Sequence, residues 1–246
     1  ILQCHMTVAI LNLMAYFLPL LIGLVPSFVW ALFFIREDEA HPEPKRLLLY
    51  AFLAGAGITL FVIGPQVALT GYLTKIGLEQ YGFWMLLILG GIEEVFKFLA
   101  IYLTVARLKD FDEPLDAMVY MIIAALGFAA VENIASISRP AAGLPALPNA
   151  VEVMALRFIG ATLLHSLSSA LVGYYWGLAM LAKRSFFLFI AEGLGVAIIL
   201  HAVFNYLIVL FGPTSQLALL LLVVASFFIF NDFDELKLEE DKQLDA

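Results

Sequence analysis

Apolar residues run along this chain in long blocks, separated by short polar or proline-bearing breaks. A helix needs roughly 20 apolar residues to cross a bilayer, and the chain supplies such stretches one after another. The pattern predicts an all-α, polytopic transmembrane bundle of about seven spans: Val8–Ile35, Leu47–Thr74, Gly82–Ala106, Leu115–Ile137, Val153–Ala182, Ser185–Phe211 and Thr214–Phe230. The first holds Asn12, Pro19 and Pro26 and is too short for two spans, so a kinked or tilted helix is expected. Gly64-Pro65 predicts a kink in the second span, and Gly212-Pro213 a tight turn between the last two. No repeat suggests duplicated halves.

Composition strengthens this picture. Of 246 residues, 63% are hydrophobic and 14% charged, and the mean hydropathy is +0.98, far from a soluble domain. The net charge of −8 is concentrated after Phe230, in Asp232, Asp234, Glu235, Glu239, Glu240, Asp241 and Asp245. The chain therefore divides into a single bundle, 1–230, and an acidic, solvated cytoplasmic tail, 231–246. No basic patch points to nucleic acid. One cysteine, Cys4, excludes an internal disulfide. The first span is not expected to be a cleavable signal peptide, because its apolar run is long and no basic residue precedes it.

Loop charge sets the expected orientation. Arg36, Lys45, Arg46, Arg107, Lys109, Lys183, Arg184, Lys237 and Lys242 fall on one side, and only Lys75 and Arg139 on the other. The richer side is expected in the cytoplasm, with the N-terminus outside and the C-terminus inside. The longest external loop, Ser138 to Glu152, is Pro/Ala-rich and reads as an irregular connector.

Ionisable residues inside the spans change the picture most, because each costs about 2.5–3.5 kcal/mol at the bilayer centre. The third span reads Gly90-Gly-Ile-Glu93-Glu94-Val-Phe-Lys97, the fourth carries Glu132-Asn133, the fifth His165, and the sixth His201 and Asn205. Glu93 and Lys97 are four apart and share a helix face, as do His201 and Asn205. Glu93, His165 and His201 each lie about 10–12 residues, roughly 15–18 Å, below the outer ends of their helices. Polar groups on several helices at one depth are expected to converge, since lipid offers them no partners. Simpler readings apply elsewhere: Ser166, Ser168 and Ser169 as small packing residues, Arg157 with Glu152 as an interfacial pair, and Asp116 and Glu192 as interfacial groups.

Paired carboxylates with two imidazoles and an amide suit metal-free hydrolysis. One glutamate takes a proton from water as it attacks a carbonyl, with Lys97 as counter-charge. The histidines and Asn205 stabilise the oxyanion or protonate the leaving amine. No cofactor is expected. A divalent metal such as zinc on Glu93, Glu94, His165 and His201 is the mechanistic alternative, although His-Glu-x-x-His spacing is absent.

Glu93-Glu94-x-x-Lys97, Phe111-Asp-Glu-Pro-Leu-Asp116, Gly127-Phe-Ala-Ala-Val-Glu132-Asn133, His165 and His201 together resemble the PrsW family of bacterial intramembrane proteases. That family is related to type II CAAX prenyl endopeptidases and to the scaffold subunit of gamma-secretase. The resemblance runs from the third to the sixth span. It implies a multi-pass protein of the bacterial plasma membrane that makes the first, extracytoplasmic cut in a single-span anti-sigma factor. It also implies that Glu93 and Glu94 are the essential acidic pair and His165 and His201 the essential histidines. Glu132 stands where the CAAX relatives carry a histidine.

The sequence assigns Glu93 as base, Glu94 as its acidic partner, and His165, His201 and Asn205 as polarising groups, with Glu132 and Lys97 completing the site. Two rivals differ in what they require. A proton-coupled transporter needs a polar path through the bilayer, whereas the spans below the cluster are nearly apolar, as in Phe98-Leu-Ala-Ile. A non-catalytic scaffold needs both glutamates tightly paired. Oligomeric state leaves no mark in the sequence.

Overall fold

The computed structural model describes residues 20–36, 42–137, 147–182 and 185–244. Among these the chain is all-helical. The helices are α1 (Leu20–Ile35), α2 (Lys45–Lys75), α3 (Phe83–Leu103), α4 (Pro114–Ile137), α5 (Leu147–Arg157), α6 (Leu163–Leu181), α7 (Phe186–Phe211) and α8 (Gln216–Leu244). Five described helical stretches are long and apolar enough to cross a membrane: Lys45–Lys75, Pro114–Ile137, Ala150–Leu181, Phe186–Phe211 and Gln216–Glu239. At 21 residues α3 has the length, but Glu93, Glu94 and Lys97 interrupt its apolar character. Residues 8–19 of the expected first span, with Asn12 and Pro19, lie outside the described residues, as does most of the expected Ser138–Glu152 loop.

The bundle is arranged around α4. Nearly all of it is buried, while α2, α7 and α8 turn most of their spans outward. It packs against α2, α3, α6 and α8, and glycines set how closely. A Cβ on Gly127 would meet the Phe52 carbonyl at 2.0 Å, and one on Gly55 the Ala124 carbonyl at 1.8 Å. The α2 and α4 backbones are therefore in direct contact, the small-residue packing that replaces the hydrophobic effect within a bilayer. The outward faces carry large exposed apolar side chains such as Phe61, Val67, Phe187 and Phe227.

Several elements differ from the sequence expectation. Helix α2 spans Lys45–Lys75 with Pro65, the expected kink point, inside it. The loop expected to last until Glu152 ends earlier, since α5 begins at Leu147 with Pro148 in its first turn, where a missing N–H costs nothing. Helices α5 and α6 are joined without a break by a π-helical turn, Phe158–Thr162. Helix α8 continues to Leu244, so the acidic segment after Phe230 begins as helix rather than as a solvated tail. Phe233 and Leu236 are fully buried, and Leu236 reaches the backbone beside Gly177 of α6. The α7–α8 turn forms at Gly212 (φ +84°), a conformation glycine adopts readily. Ser215 caps α8 by accepting the Ala218 N–H at 3.3 Å.

Asp116, expected as an interfacial group, lies in the first turn of α4. It is buried, and its carboxylate accepts the backbone N–H groups of Asp112 (2.8 Å) and Glu113 (2.9 Å). It thus satisfies donors left free at the start of α4. Tyr120, one turn further on, donates to Glu43.

Candidate active site

Consecutive residues on an α-helix point about 100° apart, so Glu93 and Glu94 serve different neighbours. Glu94 turns toward α6 and α7 and is fully buried. Its Oε1 accepts hydrogen bonds from Lys97 Nζ (2.6 Å), Ser168 Oγ (2.9 Å) and His201 Nδ1 (2.7 Å). Its Oε2 accepts from Ser169 Oγ at 3.3 Å. Glu93 turns toward α2, where Gln66 Nε2 donates to its Oε1 at 2.7 Å. Gln66 also donates to the Leu89 carbonyl at 3.4 Å. A carbonyl only accepts, which fixes the amide with its NH2 toward the carboxylate. The other oxygen, Glu93 Oε2, is buried with no hydrogen-bond partner among the described residues, 3.5 Å from His201 Nε2.

The histidines take opposite orientations. His201 places Nδ1–H on the Glu94 carboxylate, leaving Nε2 toward Glu93. Its ring lies against Gly90, where a Cβ would approach Cγ to 3.3 Å, so glycine makes room for the imidazole. His165 donates from Nε2 to Glu132 Oε2 at 2.9 Å and receives Lys97 Nζ on Nδ1 at 3.3 Å. An ammonium only donates, so Nδ1 is the acceptor. The two imidazoles meet edge to face, with centroids 5.2 Å apart. Lys97 also lies 5.5 Å from the centre of the Phe128 ring, a favourable place for a cation.

Four helices thus bring together Glu93, Glu94, Lys97, Glu132, His165 and His201. The pairing departs from the spacing argument in one respect: Lys97 bonds Glu94, three residues back, rather than Glu93. Asn205 does not join the cluster. It lies one turn from His201, on the wall of a neighbouring cavity with Arg157, Phe204 and Thr214.

Four participants were misread or missed in the sequence. Arg157 pairs not with Glu152 but with the site: Nη2 donates to Glu132 Oε2 at 3.2 Å, and Nε donates to Asn133 Oδ1. Asn133 in turn donates to Thr162 Oγ1 at 3.1 Å. Ser168 and Ser169 are hydrogen-bond donors to Glu94 as well as small packing residues. Gln66 escaped notice, although a lone amide in an apolar stretch next to proline was a usable signal. Ser166 makes only a local bond, to the Thr162 carbonyl.

The metal alternative has a specific donor set here. Glu93, His165 and His201 offer ligand atoms within 4.8 Å of one another. Two imidazoles and a carboxylate make a familiar three-ligand zinc set. Glu94 behind His201 supplies the carboxylate that orients a ligating histidine. The donor set fits a divalent cation, with Glu94 as support rather than ligand.

Comparison with known proteins shows the family of the chain. The family profile described as "PrsW family intramembrane metalloprotease" matches residues 43–231. The chain is similar to the Protease PrsW of Geobacillus kaustophilus (strain HTA426), 30% identical over 190 residues, covering 76% of this chain and 77% of the relative. It is 27% identical over 209 residues to the Protease PrsW of Clostridioides difficile (strain 630), covering 83% of each chain. The Protease PrsW of Bacillus subtilis (strain 168) is 24% identical over 188 residues, covering 76% of this chain and 80% of the relative. No solved structure matches.

Proposed function

The chain belongs to the PrsW family of intramembrane proteases, and from that premise we propose that it hydrolyses a peptide bond in a membrane-anchored polypeptide, using water activated by Glu93. It is a multi-pass membrane protein and a peptide hydrolase. One observation carries the mechanism: among the described residues Glu93 Oε2 is buried and accepts no hydrogen bond, while Oε1 is held by Gln66. A base needs a free lone pair aimed at the reacting water, on a side chain that does not swing.

In this reading, water attacks the scissile carbonyl carbon as Glu93 Oε2 takes its proton. His201 Nε2, 3.5 Å away, shares that proton and delivers it to the leaving amine. His165, held between Lys97 and Glu132, and the Arg157 guanidinium turn positive potential toward the oxyanion. Glu94 is a positioning residue, since its oxygens are spent on Lys97, His201, Ser168 and Ser169. A divalent cation on Glu93, His165 and His201 would supply Lewis-acid polarisation of water and carbonyl in the same place.

The substrate we propose is a single-span protein of the anti-sigma-factor type, cut near its extracytoplasmic side ahead of a second cleavage. The loop charges and the depth of the cluster support that side. The rival readings fit less well. Next to the cluster, Phe98, Tyr102, Phe111 and Trp176 form a packed aromatic layer, a poor conduit for protons. A scaffold would leave no buried carboxylate oxygen unpaired.

The test is cleavage of a tagged single-span reporter in cells, with variants matched for membrane level. Glu93→Gln and His201→Ala are each expected to lose about 100-fold or more of the cleaved product. Cleavage at the intact rate in both would sink the assignment. Chelation and metal return on the purified chain then separate the two forms of the mechanism.

A further inference from the structure

Apart from Arg157, the cavity beside the cluster is built from residues the hydrolytic chemistry leaves unused. It encloses about 320 Å³ between the π-helical turn, α7 and the α7–α8 corner. Its walls are mostly apolar, with Ile159, Phe204, Ile208 and Leu219 among them. Two polar side chains face it near the site. Arg157 is tied to Glu132, and Glu132 to His165, so the cavity and the cluster share a wall. Asn205 is half-buried and, among the described residues, forms no hydrogen bond.

An unpaired amide within an apolar wall asks for a particular occupant. A peptide bond is cut only where its carbonyl is exposed, so the substrate helix must unwind at the cut. Unwinding in a bilayer strips backbone N–H and C=O groups of partners and of water. Asn205 offers one donor group and one acceptor, the pair that a stretch of extended backbone needs. The apolar walls suit the side chains such a segment carries, and the turn narrows to Gly160 and Ala161 beside them. π-helical turns recur at functional sites, and this one carries the cavity wall on one flank and His165 on the other.

We propose that this cavity docks the unwound segment of a single-span membrane polypeptide beside its scissile bond, with Asn205 pairing to the segment's backbone. The proposal rests on the protease reading above and locates substrate entry between the π-helical turn and α8.

The test has two arms, both using the full chain and a tagged single-span reporter that it cleaves. The first is geometric. In a Cys4→Ser background, which removes the sole native cysteine, Glu93→Gln holds the reporter uncut. A cysteine at Thr214→Cys on the cavity wall is expected to form a disulfide with reporter cysteines flanking the cut site. One at Phe187→Cys, exposed on α7, is not. The second arm is kinetic. Among the described residues outside its own helix, the atom nearest a Cβ added at Gly160 is Phe204 Cζ, at an ordinary contact distance of 3.5 Å, so Gly160→Leu starts its side chain into the cavity. Gly160→Leu and Asn205→Leu are each expected to weaken cleavage about 10-fold, mainly through KM. Equal crosslinking at both cysteines, or none at Thr214→Cys, with Gly160→Leu cleaving at the intact rate, would overturn the docking site. If Glu93→Gln still abolishes cleavage in that case, only the docking site has failed. If Glu93→Gln cleaves, the protease reading has failed and the docking site with it.

Discussion

The two sides of the site are built from the same residue types to opposite ends. On the side of Glu94, every partner is buried and every acceptor is used: Lys97, Ser168, Ser169 and His201 converge on one carboxylate. On the side of Glu93, Gln66, Glu132 and Arg157 are only partly buried, the Glu132 side chain is 31% exposed, and one carboxylate oxygen is unspent. Two adjacent glutamates thus divide the labour. One fixes the geometry, and the other keeps an oxygen for chemistry. Saturation of hydrogen bonds, more than the presence of charge, distinguishes anchor from reagent.

Mutations can break this comparison. The largest effect is expected for Glu94→Leu, which strands the fully buried Lys97 ammonium. About 3–5 kcal/mol of stability should be lost, read as denaturant or thermal unfolding in detergent micelles. Unchanged stability would mean that this side is no anchor. Adding Lys97→Met removes the stranded charge and should recover most of that loss, because an apolar pair of similar volume replaces a buried ion pair at little cost. The double variant should remain inactive, since His201 has lost its carboxylate.

Gln66→Leu sharpens the comparison on the other side. It deletes one hydrogen bond to a charged oxygen, worth about 1.5–3 kcal/mol. Cleavage should fall by about 10- to 100-fold in kcat, with unfolding shifted by the same amount, about 1.5–3 kcal/mol. A stability loss with kcat intact would make Gln66 an anchor as well. The smallest effect belongs to Ser169→Ala, about 1 kcal/mol in unfolding and little in turnover, because Glu94 keeps its three other donors.

These contrasts also show what could be read in the sequence. Glu93, Glu94, His165 and His201 were legible because an ionisable group in an apolar span is costly enough to demand a reason. The helices themselves were legible from length, apart from the ends of α5 and α8, although five described stretches rather than seven are long and apolar enough to cross a membrane. Which carboxylate Lys97 joins was not, because spacings of three and four residues both put side chains on one face. Arg157 was misassigned because its partners, Glu132 and Asn133, are about two dozen residues away. Gln66 could be flagged as a lone amide in an apolar stretch but not assigned, for a related reason: only the approach of α2 to α3 reveals its partner. The continuation of α8 was hidden by acidic composition, while Phe233 and Leu236 carry its packing.

The π-helical turn has a bearing on tolerance to insertion and deletion. In an uninterrupted α-helix, Arg157 and His165, eight residues apart, would point about 80° away from each other. Absorbing one extra residue in Phe158–Thr162 cuts this offset to about 20°, and both side chains reach Glu132 Oε2. Removing a single residue between 158 and 162 would leave the two side chains seven apart on a plain α-helix, again about 20° out of line, so both would still face the carboxylate they share. A one-codon deletion there is therefore absorbed by the turn, whereas the same deletion early in α8 would rotate the buried Phe233 and Leu236 by about 100° out of their packing.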